Sequence, residues 1–361
     1  KDAAREDTDT IDYFPETGHV VANGFLKYWQ ANGGLSTFGY PISSETVEDG
    51  MTVQWFERAR FEFHKEFDGT AFGVQLSPLG YMSLKAAKFS LPLGTLVRFN
   101  PPRVDEGHTT TIMVGATAGV SVTGKYEGRE LDFQHDNERG IAWALIGTEP
   151  LGDTGPHPVT VTFQGGGETR NVVRTLSIDP YPFPSEALTF DQDTAALLDP
   201  VLTGQEKDIL NNIFSKRTPQ QYWQGQFRMP LDGAIRITSF FATRRCYQCP
   251  TGSTPTTYHG GMDMGTPEGS QVHAPGDGVV VFSGKLIVRG NAIIIDHGLG
   301  VYSLFAHNSK LIATVGQRVK QGDVVSLSGN TGLSNGPHLH WEVHVSGPPV
   351  EPREWVNRAL P

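Results

Sequence analysis

The chain is 361 residues long, more than one ordinary domain needs, and this length predicts two or three folded units. Its 42 glycines and 24 prolines, with frequent Val, Thr and Phe, favour sheets and turns over long helices. The formal net charge is −10 at pH 7 and no basic patch carries interleaved aromatic residues, so we expect no nucleic-acid partner.

Two features bear on where the protein works. No apolar run is long enough to cross a bilayer, so we expect no transmembrane segment in this chain. The sequence opens on Lys1 and not on methionine, which fits an exported protein whose targeting segment has been removed. Residues 1–10 are polar and charged without an apolar period, and they are predicted to form a disordered tether.

The first 97 residues are predicted to form a small mixed domain. Phe25–Trp29 is helical in character, and short strands are expected near Thr52–Phe56 and Arg60–His64. The Phe-Gly-Tyr-Pro sequence at 38–41, with the aromatic segment before it, resembles a single LGFP-type repeat. Such repeats occur in exported, cell-envelope-associated proteins.

The aromatic residues of this domain allow two interpretations. Trp29, Tyr40 and Trp55 are either ordinary core aromatics of a small domain or part of a sugar-binding surface. The sequence leaves both open.

Residues 98–180 contain several short alternating runs separated by polar turns. This spacing predicts an antiparallel sandwich of immunoglobulin-like type, without the cysteine pair of true immunoglobulins. The isolated histidines His108, His135 and His157 carry no predicted function. The predicted strands are Thr111–Val114, Val120–Val122, Leu131–Phe133, Ile141–Ile146, Val159–Phe163 and Val172–Ile178.

Residues 181–225 are predicted to be a linker and a helix. The proline-rich stretch 180–184 stiffens the exit from the sandwich. Thr203 and Glu206 fit a capping box, and they precede a helical apolar stripe that we expect to be core. The stripe consists of Ile209, Leu210, Ile213 and Phe214.

Cys246 and Cys249 are the only cysteines. They form a lone C-x-x-C, which is too few ligands for a structural zinc site and lacks the βαβ context of a thioredoxin-like motif. A small local disulfide in an exported protein is the favoured interpretation, and two free thiols are the alternative.

Residues 226–361 are predicted to form a compact, mostly antiparallel sheet, which can floor a groove for an extended peptide. A hairpin turn at 297–300 and a turn at 322–323 divide its strands. The predicted strands are Ile235–Phe241, Gly278–Phe282, Ala292–Ile295, Val301–Phe305, Val324–Leu327 and Trp341–Val345.

Seven of the twelve histidines fall at or after residue 259, and four residues in this region have the spacing of a metal site. His259 and Asp263 are separated by glycines, so a loop or strand end is expected to deliver them. His338 and His340 are two apart in an extended segment and share one face of a strand. Imidazole and carboxylate are the ligand types that bind Zn²⁺. Leu339, Trp341 and Val343 are expected to fill the other face of that strand as core.

Four motifs of this region carry a family resemblance. They are His-x-Gly-x-Asp at 259–263, Tyr302 five residues before His307, Gly-Asn-Thr-Gly at 329–332 and His-Leu-His-Trp-Glu at 338–342. In order and spacing the last 135 residues or so resemble the lysostaphin/LytM-type zinc metallopeptidases. Members of that family cleave peptide cross-links or stems of bacterial peptidoglycan, a few cleave glycine-rich proteins, and some have lost ligands and activate other hydrolases.

The resemblance implies a fold of the duplicated hybrid motif type and a role for each of five residues. His259, Asp263 and His340 would be the zinc ligands, whereas His307 and His338 would flank the metal and act on the reacting water. The chain departs from the family pattern at none of these positions. We expect His338 to be the base, although the sequence does not decide between His307 and His338.

Four other residues of this region have side chains of types that occur in catalytic sites. Glu342 shares strand parity with His340 and is interpreted either as a partner of a metal ligand or as a solvated or sheet-paired carboxylate. His344 is expected to be exposed, and His273 and His297 are expected to lie in turns without function.

Gly332 to Gly336 matches the G-x-S-x-G motif of serine hydrolases. That motif needs a strand before it and a helix after it. A proline and a predicted strand follow here, so Ser334 is interpreted as a loop residue.

The sequence therefore predicts a mainly β, multidomain, exported zinc endopeptidase that acts on peptides of bacterial peptidoglycan. The alternatives are a non-catalytic cell-envelope binding or activator protein with a structural zinc site, and a zinc endopeptidase that acts on proteins. An extracellular or cell-envelope location is expected.

Overall fold

A computed structural model describes residues 11–48, 50–65, 73–77, 93–94, 96–250 and 253–360. The tether predicted for residues 1–10 lies outside these ranges. The chain divides into two compact units, residues 1–92 with 357–359, and residues 93–356 with 360–361. The domain boundaries at 97/98, 180/181 and 225/226 remain predictions.

The described residues of the first unit form short strands and two helices. Its core consists mainly of aromatic side chains, and Trp29 and Tyr40 are half-buried against it. The predicted helix and both predicted strands are confirmed. The elements are β1 Ile11–Phe14, β2 His19–Ala22, α1 Asn23–Ala31, α2 Gly34–Phe38, β3 Thr46–Glu48, β4 Met51–Trp55, β5 Arg60–Phe63 and β6 Val74–Leu76.

The second unit begins with two sheets that share one apolar core. The strands are β7 Val97–Asn100, β8 Arg103–Asp105, β9 Thr109–Gly115, β10 Ser121–Tyr126, β11 Arg129–Glu130, β12 Gln134–Asp136, β13 Ile141–Gly147, β14 Gly155–Gly165 and β15 Glu168–Asp179. The sheet orders are β11-β10-β14-β15-β8 and β12-β13-β9-β7.

This arrangement is the predicted sandwich with two differences, while its immunoglobulin-like type remains a prediction. The pair β8 and β15 is parallel and the other pairs are antiparallel. The strand predicted at Leu131–Phe133 is wrong, because these residues connect β11 to β12 and insert Leu131 into the core without joining a ladder.

A connecting region follows the sandwich, with strand β16 Ser185–Leu188, helix α3 Gln192–Ala195, a 3₁₀ turn Ala196–Leu198 and helix α4 Pro200–Phe214. The predicted capping box is wrong. The N-cap is Asp199, whose side chain accepts hydrogen bonds from the backbone N–H groups of Val201 and Leu202. A proline at the first helical position favours this earlier start, which leaves Thr203 inside the first turn. Leu210, Ile213 and Phe214 are buried as predicted, but Ile209 is 44% exposed.

The remainder is a β-rich domain around a large apolar core. Its main sheet has the order β17-β20-β28-β24-β23-β22-β26, and all of its pairs are antiparallel, as predicted. The elements are β17 Arg236–Ser239, β18 Arg244–Tyr247, β19 Thr257–Tyr258, β20 Met262–Gly265, β21 Gln271–His273, β22 Gly278–Lys285, β23 Asn291–Gly298, β24 Val301–Ala306, β25 Lys310–Leu311, β26 Arg318–Val319, β27 Val324–Leu327, β28 His338–Val345, β29 Pro349–Val350 and α5 Pro352–Asn357.

Two histidines predicted to lie in turns belong to strands. His273 ends β21, and His297 lies near the end of β23 and is fully buried. The Nδ1–H of His297 donates to the Asp277 carbonyl at 2.8 Å, and its Nε2 lies 2.9 Å from Ser303 Oγ. The error arose because neighbouring glycines suggest a turn, whereas β23 continues through Gly298.

Cys246 and Cys249 are joined by a disulfide, as favoured from the sequence. Cys246 is buried on β18, which pairs in parallel with β16 and antiparallel with β19. The disulfide therefore closes a short turn at the end of strand β18, whose partner strand β19 leads directly to His259. No helix in the described ranges is both long and apolar enough to span a membrane.

Candidate metal centre

Two neighbouring strands bring the predicted ligands together. In the antiparallel pairing of β20 with β28, Asp263 lies opposite His340 and Gly265 lies opposite His338. His259 precedes β20 in a tight segment, where a Cβ on Gly261 would collide with the backbone carbonyl of Trp341. Glycine at 261 therefore permits the close approach that carries His259 over the sheet.

The ligand atoms of His259, Asp263 and His340 form a tight triangle. His259 Nε2 lies 2.9 Å from Asp263 Oδ1 and 2.9 Å from His340 Nδ1, and His340 Nδ1 lies 2.8 Å from Asp263 Oδ1. All three residues are buried. Leu339, Trp341 and Val343 point to the opposite face and are fully buried in the core, as predicted.

The hydrogen bonds on the far side of each ring show what this triangle can hold. His259 Nδ1 lies 2.9 Å from the Phe240 carbonyl, so Nδ1 carries the proton and Nε2 presents a lone pair. His340 Nε2 lies 2.9 Å from Glu342 Oε1, so His340 presents its lone pair at Nδ1. When His340 carries a single proton, on Nε2, two nitrogen lone pairs and a carboxylate oxygen converge. A cation satisfies all three, and two imidazoles with one carboxylate are a catalytic-zinc ligand set.

The charge states of the triangle fit metal binding. Burial alone would raise the pKa of Asp263, but its interactions with His259 and His340 hold that pKa well below its usual range. Burial lowers the pKa of His259, which keeps that ring neutral. Burial also opposes charge on His340, yet its hydrogen bonds to Asp263 and Glu342 raise its pKa. A cation that binds here therefore competes with a proton.

Glu342 is a buried partner of His340 and not a solvated carboxylate. Its Oε1 also accepts from Arg289 Nε at 2.7 Å, and its Oε2 lies 2.6 Å from His344 Nε2. Burial alone would raise the pKa of Glu342, and Arg289 together with both histidines holds it well below its usual range. The prediction that His344 is exposed is wrong, because the ring stacks on Phe214 and is 5% exposed.

His307 and His338 lie beside the triangle and outside it. Their ring centroids are 4.7 Å apart, and His338 Nε2 is 3.6 Å from Asp263 Oδ1. His307 Nδ1 donates to the Thr331 carbonyl at 2.7 Å, and His338 Nδ1 donates to the Gly336 carbonyl at 2.8 Å. Both rings therefore present a lone pair at Nε2, which is what a proton acceptor needs.

The backbone of His307 has φ of +61°, in the left-handed region that a β-carbon disfavours. Burial, then the nearby His340 and His338, lower the pKa of His307 to about 3. His307 is thus held neutral in a constrained conformation at the site.

Arg245 and Arg289 are site residues that the sequence analysis missed. Arg245 Nη2 donates to Asp263 Oδ2 at 3.2 Å, so the second carboxylate oxygen is held while Oδ1 faces the triangle. Arg245 follows no motif, and its only signal was its position beside Cys246. Arg289 lies in the turn before β23, where the sequence shows an ordinary loop.

Ser334 lies in a loop between Asn330 and His338, as predicted. Its Oγ donates to Asn330 Oδ1 at 2.6 Å, and no helix follows it. The G-x-S-x-G match therefore lacks the strand-to-helix turn of a nucleophile elbow.

The triangle opens into a cavity of about 1220 Å³. Ser239 and Tyr258 line it beside the ligands, and residues of β16 and α4 form other parts of its wall. Its size suits a peptide segment more than a single small group.

Residues 257–352 match the model of peptidase family M23. This region is a peptidase family M23 domain. The M23 domain is a metallopeptidase domain, and zinc is the metal of its family. The predicted resemblance to lysostaphin-type zinc metallopeptidases is confirmed.

Three known proteins illustrate the similarity. The chain is 41% identical over 123 residues to the peptidoglycan DD-endopeptidase ShyA of Vibrio cholerae, covering 34% of this chain and 28% of ShyA. It is 34% identical over 98 residues to the murein hydrolase activator EnvC of Escherichia coli, covering 27% of this chain and 23% of EnvC. The catalytic domain of lysostaphin from Staphylococcus simulans matches with a TM-score of 0.30 and 25% identity, covering 34% of this chain and 92% of that domain. The chain thus spans about a quarter of the length of these two curated relatives.

Proposed function

We propose that the protein is an exported zinc metalloendopeptidase that hydrolyses peptide bonds in bacterial peptidoglycan, in cross-links or stem peptides. The observation that carries the proposal is the convergence of His259 Nε2, Asp263 Oδ1 and His340 Nδ1 beside the rings of His307 and His338. A purely structural metal site needs no such pair of imidazoles next to an open side.

When bound, zinc supplies Lewis acidity and makes hydroxide available near neutral pH. The three ligands would hold it through one nitrogen or oxygen each, and Glu342 and Arg245 would keep His340 and Asp263 in the required orientation.

We assign the general base to His338. Its Nε2 faces the triangle, and its side chain is 15% exposed toward the cavity, so it can accept a proton there and pass it on. His307 also presents a lone pair at Nε2, but burial, with the nearby His340 and His338, lowers its pKa to about 3, which makes it a weak base.

Peptidoglycan as substrate is supported by the similarity to ShyA, and envelope or extracellular location by the disulfide, which persists in oxidising compartments. The similarity to EnvC favours a second candidate, an activator of other hydrolases. The complete ligand set and both flanking histidines support the peptidase.

The test is mass spectrometry of products released from purified peptidoglycan by the zinc-loaded chain. Peptide-bond cleavage by the wild type and its loss in His340→Ala are expected. A zinc-loaded, folded wild type that releases no peptide fragments, yet stimulates an added hydrolase, would instead support the activator. Cleavage of denatured proteins but not of peptidoglycan would assign a protein substrate.

A further inference from the structure

Helix α4 lies before the part of the chain that matches family M23, yet one of its side chains is built into the metal centre. Glu206 is 2% exposed, which is unusual for a carboxylate and requires partners. Its Oε1 accepts from Arg289 Nη1 at 2.8 Å, and its Oε2 accepts from the backbone N–H of Val288 at 2.6 Å. Glu206 therefore fixes both the backbone and the guanidinium of the turn before β23.

Arg289 passes this constraint on to the metal ligand. While Arg289 Nη1 donates to Glu206, its Nε and Nη2 lie 2.7 and 2.6 Å from Glu342 Oε1. This oxygen is also the acceptor for His340 Nε2. The position of the Glu342 carboxylate thus decides which nitrogen of His340 carries the proton and which faces the metal triangle.

The second oxygen of Glu342 is connected to the same helix through His344. It pairs with His344 Nε2, and the His344 ring stacks on Phe214 with centroids 3.8 Å apart and planes 22° apart. Both partners of Glu342 other than His340 are therefore braced by residues of α4, namely Glu206 and Phe214. A helix whose only task was to cover the sheet would need no buried carboxylate aimed at Arg289.

We propose that Glu206 is a positioning residue of the metal centre, acting through Arg289 and Glu342 to hold His340 as a ligand. This inference rests on the proposed function, since it assumes that the triangle binds zinc. On this inference, helix α4, which precedes the M23 domain, is part of the metal centre and not only a spacer.

The test compares Glu206→Gln with Asp208→Asn in the full chain. Asp208 is an exposed carboxylate on the same helix, so this control removes the same charge without touching the network. The zinc dissociation constant is measured by competition with a chromophoric chelator at fixed pH, beside thermal unfolding. We expect Glu206→Gln to weaken zinc binding about 10-fold, as loss of a partner behind a metal ligand does, and Asp208→Asn to leave it unchanged.

A double variant tests the route of the effect. Because Glu206 acts through Glu342, Glu206→Gln should add little to the zinc defect of Glu342→Gln. If Glu206→Gln fails to fold, Glu206→Asp keeps the charge but shortens the reach, and we expect it to weaken zinc binding at least about threefold.

Three results would each overturn the inference. The first is a Glu206→Gln protein that loses thermal stability but binds zinc as tightly as Asp208→Asn does, and the second is a Glu206→Asp protein with unchanged zinc affinity. The third is a double variant of Glu206 and Glu342 whose loss of zinc-binding free energy equals the sum of the two single losses. The proposed function fails separately, if the wild type binds zinc and cleaves no peptidoglycan while the Glu206 effect on zinc affinity persists.

Discussion

At the scale of single residues, the hydrogen-bond partner of one histidine ring nitrogen determines the role of the other nitrogen. His259 and His340 each bond away from the triangle with one nitrogen and face it with the second. His307 and His338 are anchored in the same way by backbone carbonyls, but their free nitrogens lie beside the triangle. By position, the four rings divide into two candidate ligands and two candidate proton acceptors.

This division predicts that metal content and activity come apart in alanine variants. Replacing His259, Asp263 or His340 should lower zinc occupancy, because each supplies one of three ligands. Replacing His307 or His338 should leave zinc bound and lower the hydrolysis rate by about 10² to 10⁴, the usual effect of losing a general acid–base group. Zinc analysis and peptide hydrolysis on the five variants, with circular dichroism as a folding control, measure both. Loss of zinc from His338→Ala with retention in His340→Ala would reverse the assignment.

His297 is a buried histidine outside the metal centre, and burial lowers its pKa to about 4. Between pH 6.5 and 4 the unfolded chain binds a proton at this ring that the folded chain does not, so stability falls as pH falls through this range. The loss from this group is about 3 kcal/mol. Urea unfolding of wild type and His297→Asn, in chelator at pH 7 and pH 4, measures this loss of unfolding free energy. Between the two pH values the variant should lose about 3 kcal/mol less than the wild type, and equal losses in the two proteins would contradict the effect.

Strand parity predicted some of these residues and missed others. The i, i+2 rule placed His338 and His340 on one face and Leu339, Trp341 and Val343 in the core. The same parity includes His344, but the covering of that end by α4 is a long-range contact that the strand pattern does not contain. Arg289 and Arg245 were missed for the same reason.

At the scale of secondary-structure elements, helix α4 shows how a local motif misleads when a stronger signal precedes it. The Thr203 and Glu206 pair has capping-box spacing, yet Asp199 followed by Pro200 starts the helix four residues earlier. Glu206 is then inside the helix and free to reach Arg289.

The cap assignment predicts different costs for two substitutions. Asp199→Ala removes an acceptor for two backbone N–H groups and should lower the free energy of unfolding by about 1 kcal/mol. Thr203→Ala removes only an exposed hydroxyl that donates back to carbonyls of the first turn, and it should change stability by less than about 0.5 kcal/mol. Urea titration of both variants is the measurement. A larger loss of unfolding free energy in Thr203→Ala than in Asp199→Ala would support the capping box instead.

Strand β18 joins the disulfide to the metal centre, because Cys246 follows Arg245 directly. We expect no free thiol in denatured, unreduced protein from its native compartment. Thiol titration with and without a reductant is the check, and the reduced sample should show two thiols per chain. Two free thiols without reductant would contradict the disulfide.

At the scale of the whole molecule, the centre is assembled from segments far apart in the sequence. His259 and Asp263 come from one segment, His307 from β24's end, and His338 and His340 from β28, while Glu206 comes from the region before the M23 domain. The motifs revealed the first three segments because their chemistry is specific. The helix contributes through burial and charge pairing, which a single sequence does not display.

The sandwich and the M23 domain also share contacts within the second unit. The backbone N–H of Thr109 donates to Glu354 Oε2 at 2.9 Å, and a Cβ on Gly147 would collide with the backbone at Val345. Strand β28, which carries His340, is therefore packed closely on the sandwich at its C-terminal end.

The central claim is that zinc held by this centre is required for cleavage of peptidoglycan peptide bonds. The most direct measurement is the release of new amino groups from purified peptidoglycan by one preparation in three states: as isolated, after chelation, and after one equivalent of zinc is restored. We predict release, then its loss, then its recovery in the wild type, with no recovery in His338→Ala although that variant takes up zinc. Release that continues after complete removal of the metal, or no release from the zinc-loaded wild type, would contradict the account.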